Sequence, residues 1–147
     1  MASFEQVAKK LNKAMKDISD FKEPLQDSAE IIVQESKDNF DRQGYLYGST
    51  WKPLSPATRK QRASQGFPAN RPILIRSGKL MKGVKVKSVN SREAVVHNPV
   101  EFATYHQTGT NKMPQRKVLS SSKKSRTAIG IVFGNYIAKT LKQNLNG

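Results

Sequence analysis

The 147-residue sequence predicts an α+β fold, in which a small antiparallel sheet is packed by amino-terminal and carboxy-terminal helices. Near both ends of the chain, apolar residues recur at three- and four-residue steps, which is the period of one helix face. Between residues 84 and 97, apolar and polar residues alternate on both sides of an Asn-Ser turn, which predicts a β-hairpin. With 36% hydrophobic residues, a chain of this length supports one core, so we expect a single domain over residues 1–147.

Residues 1–41 are predicted to be helical. Ser3 is a suitable N-cap, and the apolar positions after it share one helix face: Phe4, Val7, Ala8, Leu11, Ala14, Met15 and Ile18. Pro24 cannot donate a hydrogen bond to a continuing helix but suits a first turn, so a second helical stretch is expected to run to about Phe40. The pattern predicts either two helices or one kinked helix.

Residues 42–120 are expected to form loops and the sheet core. The stretch 41–56 contains two glycines, two prolines and three aromatic residues, which is typical of a long ordered loop with a function. Ser55 followed by Pro56 predicts the start of a short basic helix that ends near Gly66. Single short helices are predicted at 77–81 and 101–107, on either side of the hairpin at 84–97.

The carboxy-terminal part, residues 121–147, is predicted to be mainly one helix. Apolar residues follow helical spacing from about Arg126 to Leu145 despite Gly130 and Gly134. The serine-rich and lysine-rich stretch 120–125 is predicted to be flexible.

The charge is distributed unevenly along the chain. The net charge is +15, yet residues 1–41 carry six lysines against nine acids, a net of −3. The remainder carries 20 Lys and Arg against two acids, a net of +18. This asymmetry predicts a polyanionic or acidic partner, or an assembly in which other subunits supply the opposite charge. The sequence has no stretch of roughly 20 apolar residues, so no membrane association is expected.

Several classes of chemistry are disfavoured by the sequence. The absence of cysteine removes disulfides, thiolate nucleophiles and cysteine metal sites. A metal centre would have to combine His97 and His106 with Glu93 and Glu101 across the fold, and ordinary polar roles for these residues are favoured. Neither a nucleophile elbow nor a phosphate-binding loop is present. We therefore expect no enzyme, no cofactor and no metal, and keep a hydrolase that uses either histidine as a minor alternative.

Basic residues concentrated in the middle of the chain are candidates for contact with DNA or with an acidic partner: Arg59, Lys60, Arg62, Lys85 and Lys87. If Lys85 and Lys87 share the outer face of the hairpin, they form a basic stripe that could follow a phosphate backbone. Aromatic residues do not interleave with these cations, and no helix-turn-helix or zinc-finger spacing occurs. A solvated or subunit-facing basic surface is favoured over direct duplex contact, and a stand-alone DNA-binding protein is the alternative.

Four short motifs occur in a fixed order: WKPLSPAT at 51–58, LIRSGKL at 74–80, FATYHQTG at 102–109 and MPQRKVL at 113–119. With helices before and after them, they resemble the phage virion morphogenesis family of Mu-like and P2-like tail-completion proteins. The chain resembles the neck proteins of long-tailed phages more loosely.

The resemblance implies a homo-oligomeric ring, with six copies expected, at the head-proximal end of the tail tube. Such a ring supports head-tail joining and leaves a lumen for DNA. The implied partners are copies of the chain itself, the tail tube or tail terminator protein, a head connector or head-closure protein, and DNA in the lumen. The implied location is the neck of the virion, after a stage in the host cytoplasm. An acidic amino-terminal part and a basic remainder suit head-to-tail contacts in a closed ring.

Candidate interface residues lie within these motifs: Trp51, Pro53, Leu54, Arg76 and Arg116. Trp51 either fills a pocket on a neighbouring subunit or folds its loop onto its own core, and the residues favour neither alternative. Arg116 is expected to pair with an acid of an adjacent subunit or with an acid of the second helix in the same chain.

Overall fold

The structure is a computed structural model that describes residues 2–147. In this range the chain forms six α-helices, one 3₁₀ helix and one two-stranded antiparallel sheet, which confirms the predicted α+β class. The elements in chain order are α1 (Phe4–Ile18), α2 (Lys22–Asp41), the 3₁₀ helix (Tyr45–Tyr47), α3 (Pro56–Ser64), α4 (Lys79–Lys82), β1 (Lys85–Val89), β2 (Ala94–His97), α5 (Ala103–Thr108) and α6 (Lys123–Asn146).

The amino-terminal part forms two separate helices. Ser3 caps α1 as predicted, because its hydroxyl accepts from the Gln6 amide at 3.2 Å while the Gln6 side chain accepts from the Ser3 amide at 2.9 Å. Pro24 lies in the first turn of α2. The amide of Phe21 donates to the Ser91 carbonyl at 3.0 Å, so the start of α2 is joined to the hairpin turn.

The hairpin prediction is confirmed. Val86 pairs with Val96 and Val89 pairs with Ala94, with a bulge between Val86 and Ser88. The Asn90 side-chain oxygen closes the turn by accepting from two following backbone amides, at 2.8 and 3.0 Å. The sheet packs against α2, which also packs against α6, so α2 occupies the centre of the fold.

The core is built from residues of helices, strand ends and loops alike: Phe40, Trp51, Ile73, Leu80, Val84, Ala103 and Val118. Phe40 is completely buried and meets the Trp51 ring edge to face, with the ring centroids 5.2 Å apart. Gly44 permits this packing, because its φ is +96° and a Cβ there would lie 2.4 Å from the Trp51 ring. The segment 41–56 is therefore folded onto its own core.

The prediction of a flexible segment at 120–125 is wrong for its second half. Ser122 caps α6 in a capping box with Ser125, and Ser125 is buried. The Ser122 amide also donates to the Glu35 carboxylate at 3.2 Å, and the Ser122 hydroxyl donates to the other oxygen of that carboxylate. Serines typical of a mobile linker thus start the helix, and α6 begins at Lys123 rather than near Arg126.

The apolar face of α1 lies largely in solvent. Phe4 is 91% exposed and Met15 is 70% exposed, and Val7 and Leu11 between them are also exposed. Of this face, Ala14 is fully buried, where α1 packs against α6. The periodicity correctly predicts the helix, but within residues 2–147 nothing covers most of its apolar face.

Candidate functional site

Three of the four motifs meet at one concave site, which we call the basic pocket. The pocket has a volume of about 280 Å³. The first motif supplies Leu54, the second supplies Leu74, Arg76 and Leu80, and the third supplies Phe102 and His106. Segments that are distant in sequence thus form a single surface.

The lining of the basic pocket is positively charged. Arg62, Arg76 and Lys79 contribute to it, and none of its lining residues in the described part of the chain is acidic. Arg76 is exposed and is held in place by a hydrogen bond to the Gln65 side chain at 3.1 Å and by the Phe67 ring, whose centroid lies 5.6 Å from its guanidinium carbon. The pocket therefore combines a cationic mouth with apolar walls.

Arg62 does not lie on the outer surface of α3, and its predicted contact with DNA or with an acidic partner stays a prediction. It is 4% exposed, and its two terminal nitrogens donate to the Pro72 carbonyl at 3.0 and 3.1 Å. Its Nε is buried and has no hydrogen-bond partner within residues 2–147. Arg62 instead fixes the turn that leads into the second motif.

His106 adds a second buried nitrogen at the basic pocket. Its Nδ1 has no hydrogen-bond partner among the described residues, and its ring meets Phe102 edge to face at 6.2 Å. Burial, and secondarily the positive charge of Arg116, hold the pKa of His106 below its ordinary value. The imidazole is therefore mainly neutral at pH 7.

This lowered pKa predicts a pH-dependent stability. The unfolded chain takes up a proton on His106 at a higher pH than the folded chain does. The free energy of unfolding is therefore highest above the ordinary pKa of about 6.5, and it decreases as the pH falls from there towards the lower pKa of the folded state. We expect the melting temperature to decrease between pH 7.5 and 5.5 and the decrease to be shallower in His106→Gln, as measured by scanning calorimetry. Equal slopes in the wild type and in His106→Gln would contradict the assignment.

Trp51 follows the second of its predicted alternatives. It is 6% exposed, and its indole Nε1 donates to the Lys117 carbonyl at 3.1 Å. In the single chain the Trp51 side chain therefore packs into its own core, and its role in a contact between copies stays a prediction. In the same motif, Pro53 is exposed and Leu54 is half-buried.

Arg116 is 4% exposed and, within residues 2–147, forms no ion pair with an acid of α2, while a pair with an adjacent subunit stays a prediction. Its Nε donates to the Lys52 carbonyl and its Nη2 donates to the Pro53 carbonyl, both at 2.9 Å. Its backbone amide also donates to the His106 carbonyl at 2.8 Å. Arg116 therefore clamps the fourth motif onto the first and third, a role that sequence reasoning missed because its partners are backbone carbonyls.

The remaining basic candidates are exposed but belong to two different elements. Arg59 and Lys60 lie on α3, and Lys85 and Lys87 lie on β1. The bulge in β1 leaves Lys87 outside the regular pairing, between Val86 and Ser88. None of these four residues lines the basic pocket.

The residues 2–147 contain no cluster of three His, Asp or Glu side chains that could hold a metal ion. Among the same residues, no helix has the length and apolar character needed to cross a membrane.

Comparison with known proteins identifies the family. The family model for the phage virion morphogenesis family matches residues 2–138. The chain belongs to this family. Comparisons with curated proteins and with solved structures give no match. Membership in the phage virion morphogenesis family indicates a structural or assembly role in the phage virion.

Proposed function

We propose that copies of this chain form a closed ring at the head-proximal end of the tail tube and support head-tail joining, with DNA passing through the lumen. The observation that carries the proposal is the family match over residues 2–138, which includes all four motifs. The proposed ring works through shape and charge and performs no bond chemistry. Six copies are expected.

The exposed face of α1 supports self-association. Phe4, Val7, Leu11 and Met15 form an exposed apolar stripe along one face of α1, outside the hydrophobic core of the chain. A contiguous apolar surface of this kind is typical of an interaction site. In a closed ring, each copy presents one surface to the next copy and a different surface to the previous one. We therefore propose that a neighbouring copy covers the apolar face of α1.

The charge distribution supports a head-to-tail arrangement. The segment after residue 41 carries a net charge of +18. Acidic side chains are exposed along α2, namely Glu23, Asp27, Glu30, Asp38 and Asp41. A ring contact that places α2 of one copy near a basic surface of the next would neutralise both. Basic residues that face the lumen would contact phosphates without reading sequence, and Arg59, Lys60, Lys85 and Lys87 are the candidates.

The outer faces of the proposed ring bind unlike proteins. The tail tube or the tail terminator protein is proposed on one side, and the head connector or head-closure protein on the other. This arrangement places the chain in the neck of the assembled virion.

The ring is tested by substituting a charge into the α1 face. Native mass spectrometry and electron microscopy of the wild-type protein, alone and mixed with purified tail tubes, should show a closed ring. Leu11→Lys should reduce the assembled fraction at least tenfold, because a lysine on this face would have to be desolvated in the contact. Asn12→Lys is the matched control, since it adds the same charge at the next exposed position of the same helix.

Two results would contradict the proposal. One is the absence of the protein from purified tails and virions. The other is tight DNA binding by a monomer, with an affinity that decreases by about 0.9 log units per log unit of salt for each phosphate neutralised, which would identify the stand-alone DNA-binding alternative.

A further inference from the structure

We propose that the basic pocket binds a carboxylate side chain, flanked by an apolar side chain, from a segment of a partner protein in the virion. The source of the segment rests on the proposed function, whereas binding itself is a property of the isolated chain. The feature that suggests it is the meeting of Arg62, Arg76 and Lys79 with apolar walls in one cavity of about 280 Å³.

The electrostatics of the pocket are incomplete without an anion. Arg62 is 4% exposed, yet its hydrogen-bond partners in the described chain are neutral carbonyl oxygens of Pro72 and Ile75. The ion pairs formed within residues 2–147 involve Lys9, Lys13 and Lys139, and none involves an arginine. A buried charge that lacks a counter-ion is unfavourable, so an incoming carboxylate would gain more here than at an exposed cation.

Unused hydrogen-bonding capacity lies at the same place. The Arg62 Nε and the His106 Nδ1 are buried, have no hydrogen-bond partner within residues 2–147, and belong to two residues that line the same pocket. Buried polar atoms without partners are rare in folded proteins, and their concentration at one cavity indicates a ligand that supplies the missing partner. Arg62 is a donor at every nitrogen, which matches the acceptor oxygens of a carboxylate.

The shape and the walls favour a protein segment over nucleic acid. Leu54, Leu74, Leu80 and Phe102 make the walls apolar, and such walls suit a hydrophobic side chain next to the acid. The volume of about 280 Å³ lies just below the range of about 300–1,000 Å³ that is usual for ligand pockets, which suits one or two side chains. A phosphate backbone is polar on both sides of each phosphate and gains little from apolar walls.

Binding can be measured on the isolated full-length chain with two peptides that differ in one charge. The probes are acetyl-Leu-Glu-Leu-amide and acetyl-Leu-Gln-Leu-amide, titrated into the ¹⁵N-labelled protein at low salt. We expect the glutamate peptide to shift the backbone amide signals of Ser77, Gly78, Leu80 and His106 and to bind at least tenfold more tightly than the glutamine peptide.

A variant at the mouth of the pocket locates the site. Arg76→Gln should weaken binding of the glutamate peptide about threefold to tenfold, because Arg76 is exposed and its replacement leaves Arg62 and the fold in place. Arg92→Gln removes the same charge from an exposed position in the hairpin turn and should leave the affinity unchanged. Equal weakening by the two variants would mean that only net charge matters, and would overturn the proposal.

Further measurements distinguish this proposal from the alternatives. Equal affinity for both peptides would overturn the proposal, and so would shifts confined to amide signals of residues outside the basic pocket. A short oligonucleotide or inorganic phosphate that shifts the pocket signals more strongly than the glutamate peptide does would also overturn it. Native mass spectrometry of the same samples measures the oligomeric state and so tests the proposed ring separately from peptide binding at the basic pocket. Selective binding of the glutamate peptide by a protein that never forms rings would confirm the pocket and contradict the proposed ring.

Discussion

Phe40→Ala is expected to decrease the free energy of unfolding by about 3–5 kcal/mol. The side chain is completely buried at the end of α2, where it contacts Trp51 edge to face. Its removal costs the burial of a large apolar group, leaves a cavity between α2 and the segment 41–56, and abolishes an aromatic pair worth about 0.5–1.5 kcal/mol. For a domain of this size the melting temperature should fall by roughly 10 °C.

The measurement is urea unfolding together with scanning calorimetry of the monomeric protein. Phe4→Ala is the matched control, because it removes the same atoms from a side chain that is 91% exposed. We expect the control to change stability by no more than about 0.5 kcal/mol. Equal effects of the two substitutions would show that Phe40 does not lie in the core.

Arg116→Ala is expected to decrease the free energy of unfolding by about 2–4 kcal/mol. The substitution removes two charge-assisted hydrogen bonds, to the Lys52 and Pro53 carbonyls, and leaves these partly buried acceptors without a donor from the side chain. These hydrogen bonds are long-range contacts, since they connect the fourth motif to the first across more than 60 residues of sequence. Leu54 follows directly after Pro53, so the wall of the basic pocket should also become less ordered.

Arg116→Lys tests whether geometry or charge matters at this position. Lysine keeps the positive charge but cannot present the planar fork of donors, so we expect it to recover less than half of the stability lost in Arg116→Ala. Arg92→Ala, at an exposed position in the hairpin turn, should be nearly neutral. Full recovery by lysine in urea unfolding would contradict the role of the guanidinium fork.

Features that depend on neighbouring residues could be predicted from the sequence. The Ser3 cap, the hairpin and the Ser55-Pro56 start of α3 each depend on a few consecutive residues, and each is present. The same reasoning fails at Ser122, because the buried Glu35 that receives its hydrogen bonds lies 87 residues away in sequence.

Long-range partners explain why the burial of the candidate residues could not be predicted from the sequence. Arg62 and Arg116 belong to a residue type that is usually exposed, but the carbonyls that receive their hydrogen bonds are presented by loops whose paths the sequence does not reveal. For Trp51 the sequence left both alternatives open, because the acceptor at Lys117 and the ring of Phe40 become neighbours only in the folded chain. In α1, periodicity identifies the apolar face but not what covers it.

The position of Trp51 has a practical consequence for spectroscopy. Trp51 is the single tryptophan of the chain, so tryptophan fluorescence reports on one contact region, where the segment 41–56 packs against α2 and the fourth motif. Far-ultraviolet circular dichroism, in contrast, is dominated by the helices, of which α1 and α6 lie outside this contact region. Whether the optical signals change together on denaturation therefore distinguishes cooperative melting of the whole domain from early separation of its outer helical pair.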